Sequence, residues 1–400
     1  MRSLLVILPA LFLHAQTALP PDLDAFTKIR TRMLFNLRHQ PNYTCVETIE
    51  RSTRSKSTAR FKIVDTLRLE VALVDGREMF AWPGSRKFDD FDVTKMITSG
   101  AIGNGNFATH ARALFETRSA TFHYQGVVDF EKKKAIRFDY DVPQMLSGFR
   151  IRASEASAIV AYHGSFYASP ETFDMERMNV IADDIPAELM LASTEDRIDY
   201  AIARIGEGDF LLPSESDLSM VNSNGSENHN HVKFTSCRQF SGESVITFGD
   251  APESKPDAAP LPTRAFDLPD GLEIQLVLTE QIDLQKAAIG DPVSARVDHD
   301  VKKNGQMVIP KGATAAGRIT RLEKHETYSM IGIEFPEIEA PGVLARMKGR
   351  LERTMGILPA TSSRRESIRS QTPAREGEGV FPVGDMQLHV PKGCIMFWRT

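Results

Sequence analysis

Two histidines stand two residues apart in the run His229-Asn230-His231, the spacing at which side chains share one face of a β-strand. A metal centre built on them would need a third ligand, and partners that orient the two rings. The surrounding stretch, residues 222–230, is rich in Asn, Ser and Gly, a composition typical of exposed turns. The sequence therefore predicts a polar loop here, with a metal site as the alternative.

Paired carboxylates occur at Asp89-Asp90, at Asp139 with Asp141, and at Asp183-Asp184. Acid–base catalysis would need one member of a pair to have a pKa shifted by burial or by its neighbours. The sequence contains neither a GxSxG elbow, nor an HExxH helix, nor a glycine-rich dinucleotide loop. We therefore expect a protein that is not an enzyme, with no catalytic, cofactor-binding or metal-binding residue assigned. A hydrolase or metal-dependent enzyme is the alternative.

A glycine-rich stretch and a basic stretch could each bind an anion. The run 100–105 (GAIGNG) leads into a predicted helix, where a flexible approach explains the glycines as well as an anion site does. Arg51, Arg54, Lys56, Arg60 and Lys62 surround a Ser/Thr-rich turn. These side chains could contact anionic lipid headgroups, peptidoglycan or acidic partners, or form a solvated hairpin tip.

The overall composition excludes several classes of protein. The chain has 400 residues, of which 42% are hydrophobic and 25% charged, unlike collagen-like, disordered or polytopic membrane chains. The 48 basic and 53 acidic side chains give a net charge of −5, so nucleic acid is not an expected partner. Isolated histidines at positions 110, 123 and 163 are expected to be structural or exposed.

The N-terminus has the pattern of a secretory signal. A positive start, Met1-Arg2-Ser3, precedes the apolar run Leu4–Leu13, and the small residue Ala15 follows. We assign residues 1–18 to a signal peptide, with a buried strand or helix start as the alternative. No later stretch reaches eighteen apolar residues, so no transmembrane helix is expected in the mature chain. The expected location is periplasmic or secreted.

The three cysteines fit an oxidising compartment. Cys45 lies in an early strand-like run and Cys237 in a late one, whereas Cys394 is near the C-terminus. If the two strands are neighbours, a disulfide between Cys45 and Cys237 could form, with Cys394 free. The spacing matches no CxxC or Cys/His zinc pattern.

The periodicity predicts a mainly β (α+β) protein. An N-terminal helix is expected within residues 19–41 and a second helix at 107–116, because apolar residues recur there at three-to-four spacing. Residues 42–249 otherwise form successive hairpins, typical of a large curved antiparallel sheet. The predicted strands are 42–49, 61–74, 77–82, 121–130, 135–142, 158–167, 174–181, 198–205, 232–240 and 244–248.

A second β-domain is expected after a break in composition. Residues 250–266 are proline-rich and read as a linker. Residues 267–400 then predict a small barrel-like or sandwich-like domain, with a flexible polar insertion at 361–378. Its turns repeat an apolar–Pro–polar–Gly pattern at 268–271, 309–312 and 390–393, in which proline presets the turn and glycine closes it. Whether the two domains pack together is left open.

Two stretches resemble known families. The segment 164–178 (GSFYASPETFDMERM) resembles the strand, D-P-x-T turn and return strand of the lipoprotein-sorting and envelope-sensor group (LolA, LolB and RseB), with Ser169 where that group usually has Asp. This resemblance covers residues 42–249. It implies an open curved sheet whose concave face holds helices and, in that group, acyl chains.

The second resemblance lies in the C-terminal domain. Residues 268–320, including Gly290-Asp291-Pro292-Val293 and Ile309-Pro310-Lys311-Gly312, are similar to the β-domain of TrbI-type conjugation and secretion scaffold proteins. This similarity implies that residues 268–320 and the TrbI-type domain share a β-fold.

These observations favour an exported, non-catalytic envelope protein. Its N-terminal sheet would bind a hydrophobic ligand or a lipidated partner in its concave face. The alternative is a structural component that binds other envelope proteins and holds no small ligand. A continuous apolar groove would favour the first hypothesis, and a concave face filled by the protein's own helices would favour the second.

Overall fold

The computed structural model describes residues 20–58, 60–85, 88, 102–103, 106–153, 156–240, 264–325, 327–357, 373–384 and 387–400. The predicted signal peptide, the predicted strand 244–248, the Asp89-Asp90 pair and most of the predicted linker lie outside these residues. In the described part of the chain, no helix is both long enough and apolar enough to span a lipid bilayer.

Two α-helices form where the sequence predicts them, α1 at Pro21–His39 and α2 at Thr109–Phe115. Helix α1 begins with a proline, which is favourable where a backbone N–H has no partner in the helix. Asp22 and Asp24 lie in its first turn and Arg38 in its last, so their charges complement the helix dipole. Its buried residues follow a four-residue spacing and form one apolar stripe, made of Ala25, Ile29, Met33 and Leu37.

The N-terminal domain is built on a curved antiparallel sheet of ten strands, counted over the described residues. A separate short hairpin consists of β6 (Arg150–Ala153) and β7 (Ala156–Ile159). The strands of the sheet are β1 (Tyr43–Arg54), β2 (Lys62–Val74), β3 (Arg77–Ala81), β4 (Thr121–Phe130), β5 (Lys133–Val142), β8 (Ala161–Ala168), β9 (Met175–Asp183), β10 (Leu191–Ile205), β11 (Gly208–Asn222) and β12 (Glu227–Gln239). Their order across the sheet is β3-β2-β1-β12-β11-β10-β9-β8-β5-β4, so β12 closes the meander against β1.

Two sequence predictions in this domain are wrong. Strand β11 was not predicted, because its polar run 214–217 (SESD) interrupts the apolar alternation. His229 and His231 lie in strand β12 and not in a loop, because the backbone of this polar run pairs with β1 and β11 while the two rings stay partly exposed on the outer face. Only residues 223–226 form the turn.

The C-terminal domain is a second, curled sheet. Its main path is β13-β21-β20-β19-β16-β14-β25-β22, β23 pairs with β20, and two two-stranded pairs (β15 with β24, β17 with β18) complete it among the described residues. The strands are β13 (Arg264–Asp267), β14 (Glu273–Leu278), β15 (Ile282–Asp283), β16 (Pro292–Val297), β17 (Val301–Lys303), β18 (Gln306–Ile309), β19 (Thr314–Lys324), β20 (Tyr328–Ala340), β21 (Val343–Arg346), β22 (Arg350–Met355), β23 (Glu378–Gly384), β24 (His389–Val390) and β25 (Ile395–Arg399).

The last residues of the predicted linker and of the predicted insertion belong to the C-terminal fold, whereas residues 361–372 of that insertion lie outside the described part of the chain. Residues 264–266 belong to β13, which pairs in parallel with β21. Residues 373–378 are held by Arg321, which donates to the Pro373 carbonyl over 3.0 Å and forms a buried ion pair with Glu378 at 2.9 Å. Composition alone does not show these tertiary contacts.

The repeated apolar–Pro–polar–Gly turns are confirmed as turns. Gly271, Gly312 and Gly393 have φ angles of +82°, +84° and +86°. Residues with a Cβ rarely adopt these angles, which explains why glycine occupies the last position of each copy.

The two domains contact each other at residues 66–68 of β2, which lie beyond the part of β2 that pairs with β3. The Ile289 N–H donates to the Thr66 carbonyl over 2.7 Å, and the Arg68 N–H donates to the Ile289 carbonyl over 2.8 Å. The Arg68 guanidinium also binds both carboxylate oxygens of Asp291, at 2.5 and 2.7 Å. A Cβ at Gly290 would lie 2.3 Å from the Arg68 carbonyl oxygen, so only glycine permits this approach.

Candidate functional site: the covered face of the N-terminal sheet

One face of the N-terminal sheet is covered by the protein's own helices. The apolar stripe of α1 packs on side chains of the central and later strands, with Ile29 fully buried. These partners are Phe138, Tyr140, Phe166, Met178 and Ile198. Burying one such side chain contributes about 1.5–3 kcal/mol to the stability of the folded protein, so α1 is a substantial part of the domain core.

Polar contacts fix the position of α1 on the sheet. The Asn36 side chain donates to the Leu211 carbonyl over 2.8 Å and accepts from the Leu211 N–H over 2.9 Å. Arg32 donates to Asp174 in the turn between β8 and β9, at 2.7 Å. With these two hydrogen bonds the Asn36 amide pairs with the Leu211 backbone as a neighbouring strand residue would. The pair therefore fixes both the direction and the register of α1 on the sheet.

Helix α2 is held by an acidic side chain from the sheet. Glu78 on β3 accepts from the Ala108 N–H, the Thr109 N–H and the Thr109 hydroxyl, at 2.8 to 2.9 Å. This carboxylate takes the place of the capping side chain that Ala108 lacks. Arg112 then donates to the Leu37 carbonyl over 3.1 Å, which joins α2 to the end of α1.

A row of buried polar side chains crosses the covered face beside the helices. The strand registers place Glu47 and Arg51 on this face of β1, and Asp196 and Ser216 on the same face of β10 and β11. Arg51 forms a buried ion pair with Asp65 on β2. The Ser216 hydroxyl donates to Asp196 over 2.6 Å and accepts from the Asn106 amide over 3.0 Å.

Burial shifts the pKa of several groups on this face. Loss of solvation, and then the nearby Glu78 charge, raise the pKa of Glu47 to about 8, so its carboxyl is protonated at neutral pH. Burial also raises the pKa of Asp196 to about 6, against the lowering effect of the Ser216 hydrogen bond. Burial lowers the pKa of His110 to about 4. The sequence analysis missed Glu47 and Asp196, although Glu47 stands at an inward position of the alternating run 43–49.

Two clefts lie away from this polar row, and both are lined mostly by polar side chains. One, of about 410 Å³, is lined on the outer face by His123, Asp139, Asp141 and His163, among others. The other, of about 330 Å³, lies at the C-terminal end of α1, beside Asp75 and Arg112. Neither cleft is an apolar groove.

Of the groups singled out in the sequence, the histidines at 123, 163, 229 and 231 and most of the described carboxylate pairs lie on the outer face, whereas His110 is buried on α2. His229 and His231 both approach Asp217, at 3.3 and 2.8 Å, and Arg197 pairs with the same carboxylate. Burial would raise the pKa of Asp217, but the His231 hydrogen bond and the Arg197 charge together lower it. Over the described residues, no group of three metal-ligating side chains is arranged to hold an ion. This cluster is a partly exposed ion-pair network.

The remaining outer-face groups form separate polar contacts. His163 contacts Asp183 at 2.8 Å, and His123 contacts Asp141 at 3.3 Å. Asp139 pairs with Arg137 at 2.8 Å. The structure therefore does not bring these groups together with the buried acids Glu47 and Asp196.

Cys45 and Cys237 lie opposite each other on the neighbouring strands β1 and β12. Their Cα atoms are 4.1 Å apart, and their sulfur atoms are joined at 1.98 Å. Cys394 is buried, and burial raises the pKa of its thiol to about 11. Formation of this disulfide in solution stays a prediction.

No protein-family model matches the chain, and no curated protein matches it. Among solved structures, it is similar to a domain described as an outer membrane lipoprotein-sorting protein domain from Vibrio parahaemolyticus, at 10% identity and a TM-score of 0.31, over 55% of this chain and 95% of that one. It is also similar to a DUF1329 family protein from Desulfovibrio piger, at 9% identity and a TM-score of 0.32, over 58% of this chain and 98% of that one. The comparisons do not support the TrbI-type resemblance, which stays a prediction. Similarity at this level assigns no ligand to the chain.

Proposed function

We propose that this chain is an exported, non-catalytic envelope protein that acts through its surface, with the concave face of its N-terminal sheet occupied by its own helices. The observation that carries the proposal is the position of α1, whose Ile29, Met33 and Leu37 are buried against the sheet. This arrangement favours the protein-binding alternative over an internal hydrophobic ligand.

A ligand in the concave face would have to replace α1. It would need to compensate for exposing three apolar side chains, at about 1.5–3 kcal/mol each, as well as the Asn36 contacts with Leu211. A bound acyl chain or lipidated partner of that kind is the competing hypothesis, and it requires α1 to leave the sheet.

The arrangement of ionisable groups supports a role without catalysis. The acids with raised pKa values, Glu47 and Asp196, are fully buried, and Ser216 already satisfies one oxygen of Asp196. His229 and His231 point to Asp217, a carboxylate that Arg197 also holds. General acid–base catalysis would need such a group within reach of a bound substrate.

Export is supported by the signal-like N-terminus and by the facing cysteines Cys45 and Cys237. A disulfide of this kind persists in the periplasm or outside the cell, where thiols are not kept reduced. The partners proposed are therefore other envelope components and not nucleic acid.

The test is lipid analysis of the full chain, purified after export from a bacterium. The proposal expects no stoichiometric lipid by mass spectrometry and no binding of a fluorescent fatty acid. The double variant Ile29→Ala/Met33→Ala should gain binding of the fatty acid because it opens a cavity under α1, and Phe35→Ala, on the exposed side of the helix, is the matched control. Stoichiometric lipid in the wild-type protein would overturn the proposal.

A further inference from the structure

One end of the N-terminal sheet carries an unusual concentration of exposed apolar and basic side chains. This end, called the rim below, consists of the described residues in four segments: 54–63 between β1 and β2, 143–152 after β5, 184–190 after β9, and 222–227 between β11 and β12. The antiparallel registers place all four segments at the same end of the sheet.

The four segments contact one another in sequence around this end. Lys56 lies against Gly225, where a Cβ would come within 2.8 Å of the Lys56 Cδ. The Ser223 N–H donates to the Met190 carbonyl over 2.9 Å. Leu189 packs with Ile151 of the β6–β7 hairpin in a small apolar cluster. Gln144 donates to the Ile159 carbonyl over 2.8 Å, which attaches the turn 144–146 to the same hairpin.

Large apolar side chains project from the rim into solvent. Met145 is 96% exposed, Met190 65%, Leu146 58% and Ile63 52%. Met190 also has a left-handed backbone, with φ at +55°, a conformation that is unfavourable for a residue with a Cβ. Met190 is thus exposed on a backbone conformation that disfavours a side chain, whereas single exposed apolar side chains elsewhere on the protein need no special explanation.

The rim is basic although the whole chain is acidic. Its described residues include six basic side chains, Arg54, Lys56, Arg60, Lys62, Arg150 and Arg152. They include three acidic ones, Asp184, Glu188 and Glu227, and the last of these pairs with Arg54. The rim therefore has a local charge of about +3, from six minus three, in a protein with a net charge of −5.

We propose that the rim docks on the surface of an anionic lipid bilayer. Met145, Leu146, Met190 and Ile63 insert at the level of the headgroups, and the surrounding arginines and lysines contact lipid phosphates. This combination of apolar and basic side chains is the one that binds proteins to membrane interfaces without spanning them. The docking site is on the outside of the fold, so it does not depend on whether the concave face is filled.

The geometry favours a lipid surface over a protein partner. The most exposed apolar side chains of the rim are Met, Leu and Ile, and none of them is aromatic, whereas the anchors of protein interfaces are enriched in Trp and Tyr held in well-packed pockets. A fluid lipid surface can accommodate apolar side chains that come from separate segments, whereas a folded partner would need a complementary cavity for each.

The experiment is co-sedimentation of the full exported chain with vesicles of phosphatidylethanolamine and phosphatidylglycerol, and with vesicles of phosphatidylcholine alone. The wild-type protein should bind the anionic vesicles and bind less as salt is added. Each basic residue near an anionic surface strengthens binding about fivefold. The variant Lys56→Glu/Lys62→Glu should therefore bind the anionic vesicles more than about tenfold more weakly than the wild-type protein. The variant Met145→Asp/Leu146→Asp should bind them about tenfold more weakly, or weaker still.

The matched control is Lys133→Glu/Lys134→Glu, which reverses two exposed charges at the opposite end of the same sheet. This variant should bind vesicles within about twofold of the wild-type protein. Equal losses in the control and the rim variants would show general charge attraction and overturn the proposal, as would a wild-type protein that ignores anionic vesicles. Loss of a co-purifying protein from the rim variants, with no vesicle binding, would assign the rim to a protein partner and also overturn it.

Discussion

The buried carboxyl of Glu47 makes the stability of the protein depend on pH in a predictable direction. Its pKa is raised from 4.5 to about 8 in the folded protein, so the folded state binds a proton that the unfolded state releases. The contribution of this group to stability is therefore fully present below about pH 4.5 and is lost as the pH rises toward about 8. Between pH 5 and pH 8 the loss is about 3 kcal/mol, at 1.36 kcal/mol per pKa unit.

The substitution Glu47→Gln should remove this dependence, because an amide does not titrate. Guanidinium denaturation at pH 5 and pH 8 would measure the free energy of unfolding of both proteins. We expect the drop between the two pH values to be about 3 kcal/mol smaller in the variant. Glu50→Gln, on the exposed face of the same strand, is the control and should parallel the wild-type protein. If Glu47→Gln parallels the wild-type protein as well, Glu47 is hydrated and the covered face is not sealed.

Three further outcomes follow from the packing. Ile29→Ala should lower the free energy of unfolding by about 2–5 kcal/mol in denaturant titrations, whereas Phe35→Ala should change it by less than about 0.5 kcal/mol. Peptide mapping without reductant should find Cys45 linked to Cys237, and free thiols at these positions in the exported protein would contradict the disulfide. Replacing both cysteines with serine should lower the free energy of unfolding by about 3–5 kcal/mol, because the bridge closes a separation of 192 residues. Asp291→Ala should speed hydrogen exchange of the segment 284–291, since the contact with β2 is weakened, and unchanged exchange would argue against that contact.

The fold class could be predicted because most of its elements have local signals. The four-residue spacing of apolar residues in α1 and the Asp75-Gly76 turn between β2 and β3 each indicate structure within a few residues. Strand β11 has no such signal, since Pro213 and the polar run after it occur in the middle of the strand. Its pairing with β10 and β12 is a tertiary effect that a local pattern does not contain.

The candidate site was less predictable than the fold. The visible polar motif, His229 with His231, lies on the outer face, whereas the acids with perturbed pKa values are single residues within alternating strands. An acidic residue at an inward position of a strand is a usable signal, but it becomes informative only when the covered face is known. The contact of Ile289 with β2 could not be predicted from the sequence either, because it consists of hydrogen bonds between backbone groups, which every residue type carries.

Hydrogen exchange of the segment 21–39 tests the central claim most directly. In the full exported chain, the amides of α1 should exchange as slowly as those of the central strands, and adding a long-chain fatty acid should leave them unchanged. Rapid exchange of α1, or exchange that accelerates when the fatty acid is added, would show that the helix leaves the sheet to admit a ligand and would contradict the account.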